Sequence, residues 1–220
     1  MLTVWGRANS INVQKVLWTI GELGLAHERV PLGGSFGGTA DKSYLAMNPN
    51  GLVPTVRDGD AVLWESNAIV RYLAAKHDTG GLWPEDPLAR ARADRWMDWS
   101  ATTLSPAMTP VFMATVRAPR GTARPAGFDA AAEKLASVFR MVEEGLSEAD
   151  HIAGPRLTIG DIPIGASVAR YMRMPIDRPT LPRTEAYYAR LQERPAFRTH
   201  IMIPFGTCQE EWDALEKQYG

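Results

Sequence analysis

The sequence contains a single cysteine, Cys208, among its 220 residues. One cysteine cannot form a disulfide framework within the chain, and a chain without disulfides suits the reducing cytosol. The sequence also lacks an apolar run of membrane-spanning length, and its first residues run directly into a strand pattern rather than into a secretion signal. We therefore expect a cytoplasmic protein with no membrane contact.

An excess of charge of either sign is absent as well, because the formal net charge is −1. The loose basic stretch at Arg117, Arg120 and Arg124 lies among Pro and Gly, which is typical of a solvated loop and not of a nucleic-acid-binding stripe. The four histidines are scattered, and none has a partner at metal-ligand spacing. The sequence therefore predicts no nucleic-acid partner and no metal.

The first third of the chain carries an ordered series of strand and helix patterns. In chain order we predict a strand at 2–5, a helix at 12–23, a strand at 28–32, a short helix at 41–46, strands at 54–57 and 61–64, and a helix at 66–76. The last two strands flank Asp58-Gly59, a strong signal for a two-residue hairpin turn. This order predicts a thioredoxin-like layout, in which helices cover a mixed sheet.

The rest of the chain is helical in character. Gly80-Gly81 and the prolines between 84 and 87 indicate a linker. Helical patterns run over 89–103, 128–146 and 184–192, Thr158 and Asp161 form a capping-box pattern, and Pro106 and Pro110 predict a kinked or broken helix. We therefore predict an α/β thioredoxin-like N-terminal domain at 1–78, a linker at 79–87 and an all-α C-terminal domain at 88–220.

Two short motifs in the first domain suit a small peptide with an α-amino acid end. A cis Val53-Pro54 bond would turn the Val53 backbone outward, where an extended peptide can pair with it. Glu65-Ser66 lies where a strand pattern gives way to a helix pattern, so Ser66 is predicted to be the N-cap. That helix N-terminus attracts a carboxylate, and Glu65 can accept a hydrogen bond from an ammonium group.

These motifs, with the stretch from Asn48 to Pro54, resemble the glutathione-binding half of the soluble glutathione transferases. The resemblance covers nearly the whole chain and is to the bacterial theta-, beta- or nu-like type. It implies that glutathione is the co-substrate, with its γ-glutamyl group at Glu65 and Ser66 and its cysteinyl backbone beside Val53 and Pro54. It also implies a detoxification enzyme that forms a homodimer, packed partly through the helix after Ser66 and the helix that carries Trp96 and Trp99.

The reactive group of thioredoxin-like folds lies between the first strand and the first helix, here residues 7–13. This stretch contains no cysteine, which excludes dithiol exchange, and no tyrosine, so the tyrosine-dependent classes are not matched. Ser10 resembles the catalytic serine of the theta-like classes, and Asn12 resembles the asparagine that some bacterial classes use near the sulfur. Either side chain could stabilise the glutathione thiolate. Alternatively, Ser10 is only an N-cap and Asn12 a polar first-turn residue.

The resemblance also suggests partners for the remaining parts of the substrates. Lys42 is the candidate for the glycyl carboxylate, because the family places a cation in this part of the chain. Met108, Phe112 and Tyr171 are the candidate walls of the pocket for the second substrate, and Met adapts to varied shapes. The alternatives are a solvated lysine and ordinary core residues.

Together these observations predict a glutathione transferase that conjugates the glutathione thiolate to small electrophilic molecules. Two alternatives stay open, because a fold does not determine a function. One is a glutathione-dependent disulfide reductase or peroxidase, which needs no protein cysteine. The other is a non-catalytic glutathione-binding module on the same fold.

Overall fold

The computed structural model describes residues 1–219, and the first third of the chain forms a small mixed sheet with helices packed on it. Its elements are β1 (Leu2–Trp5), α1 (Ile11–Glu22), β2 (His27–Val30), α2 (Lys42–Leu45), β3 (Thr55–Asp58), β4 (Ala61–Trp64) and α3 (Ser66–His77). The strand order is β2-β1-β3-β4. The β1–β2 pair is parallel, and the β1–β3 and β3–β4 pairs are antiparallel. The predicted thioredoxin-like domain is confirmed.

Helix α1 is buried on nearly every side, since eight consecutive residues from Val13 to Ile20 are shielded from solvent. One face packs on the sheet and on α3, and the other packs on helices of the second domain. Amphipathic helices normally expose a polar stripe. Three polar residues of α1 therefore lie inside the protein, namely Gln14, Lys15 and Thr19.

The rest of the chain is helical, as predicted. Its helices are α4 (Pro87–Trp99), α5 (Ser105–Thr115), α6 (Phe128–Gly145), α7 (Asp161–Arg173), α8 (Pro182–Gln192), α9 (Pro195–His200) and α10 (Gln209–Tyr219). The short helices α9 and α10 were not predicted. Within residues 1–219, every helix is too short or too polar to span a bilayer.

Pro106 does not break the helical path, contrary to the expected kink or break. A π-helical turn, Ser100–Leu104, joins α4 directly to α5. The Ser105 N–H donates to the Ser100 carbonyl, five residues back. Pro106 has no N–H to donate, and the chain accommodates it by widening the turn before it. The helix predicted at 89–103 therefore stays α-helical only as far as Trp99.

Half of the predicted capping box at the start of α7 is present, because the Asp161 N–H donates to the Thr158 carbonyl rather than to the Thr158 hydroxyl. The backbone N–H and the hydroxyl of Thr158 both donate to Asp161 Oδ2, at 2.8 and 3.1 Å. Asp161 Oδ1 accepts from the Ile152 N–H at 2.9 Å and from the Tyr187 hydroxyl at 3.0 Å. Asp161 is fully buried. It organises the interior of the helical domain, which is a structural role.

Candidate functional site

Glu65 and Ser66 form the entrance to α3, but their capping roles differ from those predicted. The Glu65 carbonyl accepts the first helical hydrogen bond, from the Ile69 N–H at 2.9 Å, so Glu65 is the N-cap and Ser66 is the first helical residue. The predicted N-cap role of Ser66 is wrong. The first-turn N–H groups of a helix lack intrahelical partners and can receive a carboxylate, with the Ser66 hydroxyl beside them.

The backbone of Glu65 is strained. Its φ is +68°, and among residues 1–219 no other non-glycine residue has a positive φ. A left-handed conformation costs free energy in a residue with a Cβ, and such residues concentrate at functional sites. This backbone conformation turns the chain from β4 into α3. The Glu65 side chain is exposed beside the buried Ser66.

The N-terminus of α1 meets the N-terminus of α3. Ser10 is the N-cap of α1, and its side chain makes no capping hydrogen bond. Asn12 lies in the first turn, and its Oδ1 accepts a hydrogen bond from the Ser66 hydroxyl at 3.3 Å. The two helix N-termini, each with partial positive charge, therefore converge on one region.

The Val53-Pro54 bond is cis, which is the condition on which the expected orientation of the Val53 backbone depends. Within the part of the chain that the structure describes, the Val53 backbone makes no hydrogen bond to another backbone group. Val53 also lies against Gly6 at the end of β1, where an added Cβ would be 3.3 Å from the Val53 Cβ. The outward-turned backbone of Val53 is thus placed beside the loop that leads to Ser10.

Lys15 packs against the first turn of α3, and it was not among the site residues predicted from the sequence. Its Nζ donates to Asn67 Oδ1 at 3.1 Å, and Asn67 Nδ2 donates to the Met97 carbonyl of α4 at 2.8 Å. Burial lowers the pKa of Lys15 to about 8, against the attraction of Glu65, which raises it. A signal was present, since a lysine inside the apolar run of α1 has no solvent-facing side.

Arg170 of α7 holds the loop before Ser10 from the helical domain. Its Nη2 donates to the Asn9 carbonyl at 2.9 Å, and its guanidinium lies 4.6 Å from the centre of the Phe112 ring. Burial, reinforced by repulsion from nearby arginines, lowers the pKa of Arg170. Asn9 and Arg170 are 161 positions apart in the sequence, so no local pattern could have linked them.

Helix α10 contacts the first domain through Glu216, which is buried. Its carboxylate lies 2.9 Å from Arg7 Nε and accepts the Ser35 N–H at 2.7 Å. Burial opposes ionisation of Glu216, but the Ser35 hydrogen bonds and the Arg7 charge outweigh it and lower the pKa of the carboxyl group. The last helix thereby fixes the loop on which Arg7 lies.

Comparison with known proteins identifies the family. Residues 1–75 match the domain family "Glutathione S-transferase, N-terminal domain". The chain is 42% identical over 206 residues to glutathione S-transferase GstB of Escherichia coli (strain K12), an alignment that covers 93% of this chain and 99% of the relative. This chain belongs to the glutathione S-transferase family.

Solved structures agree with this assignment. The theta class glutathione S-transferase from Xanthomonas axonopodis pv. citri, solved with glutathione bound, superposes with a TM-score of 0.90 and 42% identity, covering 93% of this chain and 99% of that one. Among the sequence relatives, glutathione S-transferase 3 of Zea mays is 34% identical, over 92% of this chain and 95% of the relative. The protein is a glutathione transferase with glutathione as its co-substrate, as predicted.

The predicted site residues of this transferase do not all lie together. Five of them lie around the two helix N-termini and the cis peptide bond: Ser10, Asn12, Val53, Glu65 and Ser66. Lys42 is the exposed first residue of α2, and within residues 1–219 it forms no ion pair.

The predicted pocket walls lie in the helical domain. Met108 and Phe112 are one turn apart on α5 and are mostly buried. Tyr171 is only 1% exposed, and its ring stacks on Phe139 with a centroid separation of 3.7 Å. Tyr171 is therefore a core residue, and the predicted wall role is corrected. In residues 1–219, no group of three or more His, Cys, Asp or Glu side chains is arranged to hold a metal.

Proposed function

We propose that this transferase binds glutathione across the α1 and α3 N-termini and conjugates it to small electrophiles. The observation that supports the proposal is the 3.3 Å contact between the Ser66 hydroxyl and Asn12 Oδ1, which brings the two helix entrances together. The cis Val53-Pro54 bond lies beside the same loop. A tripeptide with a carboxylate at one end and a thiol in its middle fits this arrangement.

Each part of glutathione has a partner in the proposal. The first N–H groups of α3 receive the γ-glutamyl α-carboxylate together with the Ser66 hydroxyl, which turns from Asn12 Oδ1 to the ligand. Glu65 accepts from the neighbouring ammonium group. The Val53 N–H and C=O pair with the cysteinyl backbone as a neighbouring strand would. Lys42, exposed at the start of α2, receives the glycyl carboxylate.

Ser10 is the proposed donor to the thiolate. Its hydroxyl makes no capping bond, so it is available to a ligand at the N-cap of α1. The contact between Asn12 and Ser66 uses only the Asn12 Oδ1, so the Asn12 Nδ2–H groups can also donate. A hydrogen bond to a charged group is worth roughly 1.5–3 kcal/mol, which lowers a thiol pKa by about one to two units. Asn12 is the alternative donor and is tested against Ser10 below.

The ionised sulfur then attacks an electrophilic carbon in a pocket bounded by Met108 and Phe112. A sulfur–carbon bond forms, and the leaving group departs with its bonding electron pair. Only the thiolate is an effective nucleophile, so stabilising it raises the reactive fraction at neutral pH. The Phe112 ring lies against Arg170, which contacts the residue before Ser10, and these contacts support the proposal of a wall near the sulfur.

The proposal includes a cytoplasmic homodimer that packs through α3 and α4. Arg71 of α3 pairs with Asp94 and Asp98 of α4, so these helices present one continuous surface. An apolar shallow depression at Trp96 and Met141 lies at its edge. Light scattering should give twice the mass of 24.2 kDa. A monomeric mass at micromolar concentration would contradict the dimer.

The test of the function is an ultraviolet titration of glutathione thiolate with saturating protein. A thiol pKa one or more units below the free value of about 8.5, together with conjugation of 1-chloro-2,4-dinitrobenzene, is the expected result. A lowered pKa with turnover of disulfides or peroxides alone would favour the reductase. Bound glutathione with an unshifted pKa would favour the binding module.

A further inference from the structure

The proposed glutathione site rests on a buried cation that the function described above does not use. Lys15 is 7% exposed, and its Nζ donates to Asn67 Oδ1, the side chain next to Ser66. Asn12 and Lys15 are three residues apart, so they share one face of α1. Asn12 contacts Ser66, and Lys15 contacts Asn67. The two side chains of α1 therefore contact two consecutive residues in the first turn of α3.

The surroundings of Lys15 do not neutralise it. Among residues 1–219, no carboxylate lies within ion-pair distance of its Nζ, and Asn67 is its one hydrogen-bond partner. Of the charged groups on the elements packed against α1, Glu65 is the one whose attraction raises the pKa of Lys15, by less than burial lowers it. The positive end of α3 lies beside it and disfavours a second positive charge. A buried ammonium in this position gains stability from an added anion.

The anion that fits is the carboxylate that Ser66 is proposed to receive. We propose that Lys15 is a positioning residue of the glutathione site: its buried ammonium orients Asn67 in the first turn of α3 and offsets the charge of the γ-glutamyl carboxylate. This inference rests on the proposed placement of glutathione. It adds a charge that acts from beneath the site rather than by contact with the ligand.

The same chain of contacts connects the site to the second domain. Asn67 receives the Lys15 ammonium on its oxygen and donates its amide N–H to the Met97 carbonyl of α4. Since both ends of the Asn67 amide are engaged, its orientation is determined. The first turn of α3 is therefore held between α1 and α4 when glutathione arrives.

The charge of Lys15 gives the inference a pH signature. Burial lowers the pKa of Lys15 to about 8, so its ammonium is lost at mildly alkaline pH. A bound carboxylate stabilises the charged form, so the ligand raises the pKa of Lys15. By linkage, affinity is highest below the free-state pKa and falls as pH rises through it.

The experiment measures binding of S-methylglutathione to the wild-type protein, Lys15→Arg and Lys15→Met by calorimetry between about pH 6.5 and 9.5. S-methylglutathione has no thiol, so sulfur ionisation does not contribute. Titration of the amine of the free ligand is the same in the experiments with all three proteins. Arg stays charged throughout this range. We expect wild-type affinity to fall about tenfold relative to Lys15→Arg across the range.

Lys15→Met should bind about tenfold more weakly than the wild type at the acid end and match it at the alkaline end. Its KM for glutathione should rise while kcat at saturating glutathione stays within about threefold, because the lysine does not touch the reacting sulfur. Lys15→Met leaves Asn67 Oδ1 without its donor, so urea denaturation checks that the variant remains folded under the assay conditions. Asn67→Asp, which gives Lys15 an internal anion, should also weaken binding and provides a second variant.

Equal affinity of the wild type and Lys15→Met at low pH, or a pH-independent ratio of wild type to Lys15→Arg, would overturn the role of Lys15. Those outcomes leave the glutathione site itself intact. Failure of the wild-type protein to bind S-methylglutathione at any pH would instead refute the proposed site, and the role of Lys15 with it.

Discussion

The glutathione side of the proposed site and its second-substrate side are built in different ways. The first uses backbone positions and short polar side chains at two helix N-termini, with Ser10, Asn12 and Ser66 close together in space. The second uses large buried side chains such as Phe112, held by contacts from distant parts of the chain. The first side offers charged and polar partners to a ligand, while the second offers apolar surface, and Arg170 links the two through the Asn9 carbonyl and the Phe112 ring.

The largest expected effect concerns the scaffold of the helical side. Asp161→Ala should reduce the free energy of unfolding by about 4 kcal/mol, because several buried donors lose their acceptor at once. Urea denaturation measures the change. Thr158→Val, which removes only the hydroxyl donor, is the matched control and should cost about 1 kcal/mol. A loss below 1 kcal/mol in Asp161→Ala would show that the buried carboxylate does not organise the domain.

The next largest effect lies on the glutathione side. Ser66→Ala should weaken binding of S-methylglutathione about 10- to 150-fold, since a hydrogen bond to a charged carboxylate is lost. Calorimetry at neutral pH measures it. Ser66→Thr keeps the hydroxyl and should retain most of the affinity. An affinity within about threefold of the wild type in Ser66→Ala would remove Ser66 from the head-group site.

Ser10→Ala and Asn12→Ala distinguish the residue that stabilises the thiolate from the residue that supports binding of the head group. Ser10→Ala should raise the pKa of bound glutathione by about one to two units and lower turnover at neutral pH about 10- to 100-fold. Asn12→Ala should chiefly weaken glutathione binding, because Asn12 contacts Ser66. The thiolate absorbance titration distinguishes them. The reverse pattern would transfer the thiolate role to Asn12.

Glu216 tests how firmly the last helix secures the first domain. Its folded-state pKa is lowered, so its stabilising contribution is complete above the unfolded value of about 4.3 and is lost as pH falls through the folded value. Glu216→Gln should cost about 1–2 kcal/mol at neutral pH and nothing once the wild-type carboxyl group is protonated. Urea denaturation at both pH values checks this. Equal stability at neutral pH would mean that the Arg7 contact contributes nothing.

The smallest expected effect separates core from pocket on the helical side. Tyr171→Phe keeps the ring that stacks on Phe139 and should change stability and electrophile preference by less than about 0.5 kcal/mol. Phe112→Leu, in contrast, should change the relative kcat/KM of electrophiles of different size. A panel of aryl halides measures both variants. A change of preference in Tyr171→Phe would return Tyr171 to the pocket.

Short-range patterns account for most of what was predicted correctly. The strand-helix order and the tight hairpin turn after β3 depend on neighbours within a few residues. The two turn residues are Gly59 and Asp60, one position later than the Asp58-Gly59 signal indicated. The N-cap at α3 was misplaced by one residue because the positive φ of Glu65 is not encoded by residue type. Tyr171 was misassigned because an aromatic residue at helical spacing looks the same in a core as in a pocket.

By itself, the sequence determined the fold class, the glutathione motifs and the absence of a protein thiol at the reactive position, because each depends on residues that lie close together in the sequence. Only the tertiary structure decided that Lys15 lies beneath Asn67, that Arg170 holds the Asn9 carbonyl and that Glu216 reaches Arg7. The partners in these contacts are 52, 161 and 209 positions apart in the sequence. Burial and charge at such distances depend on how the helices pack, and no local pattern records it.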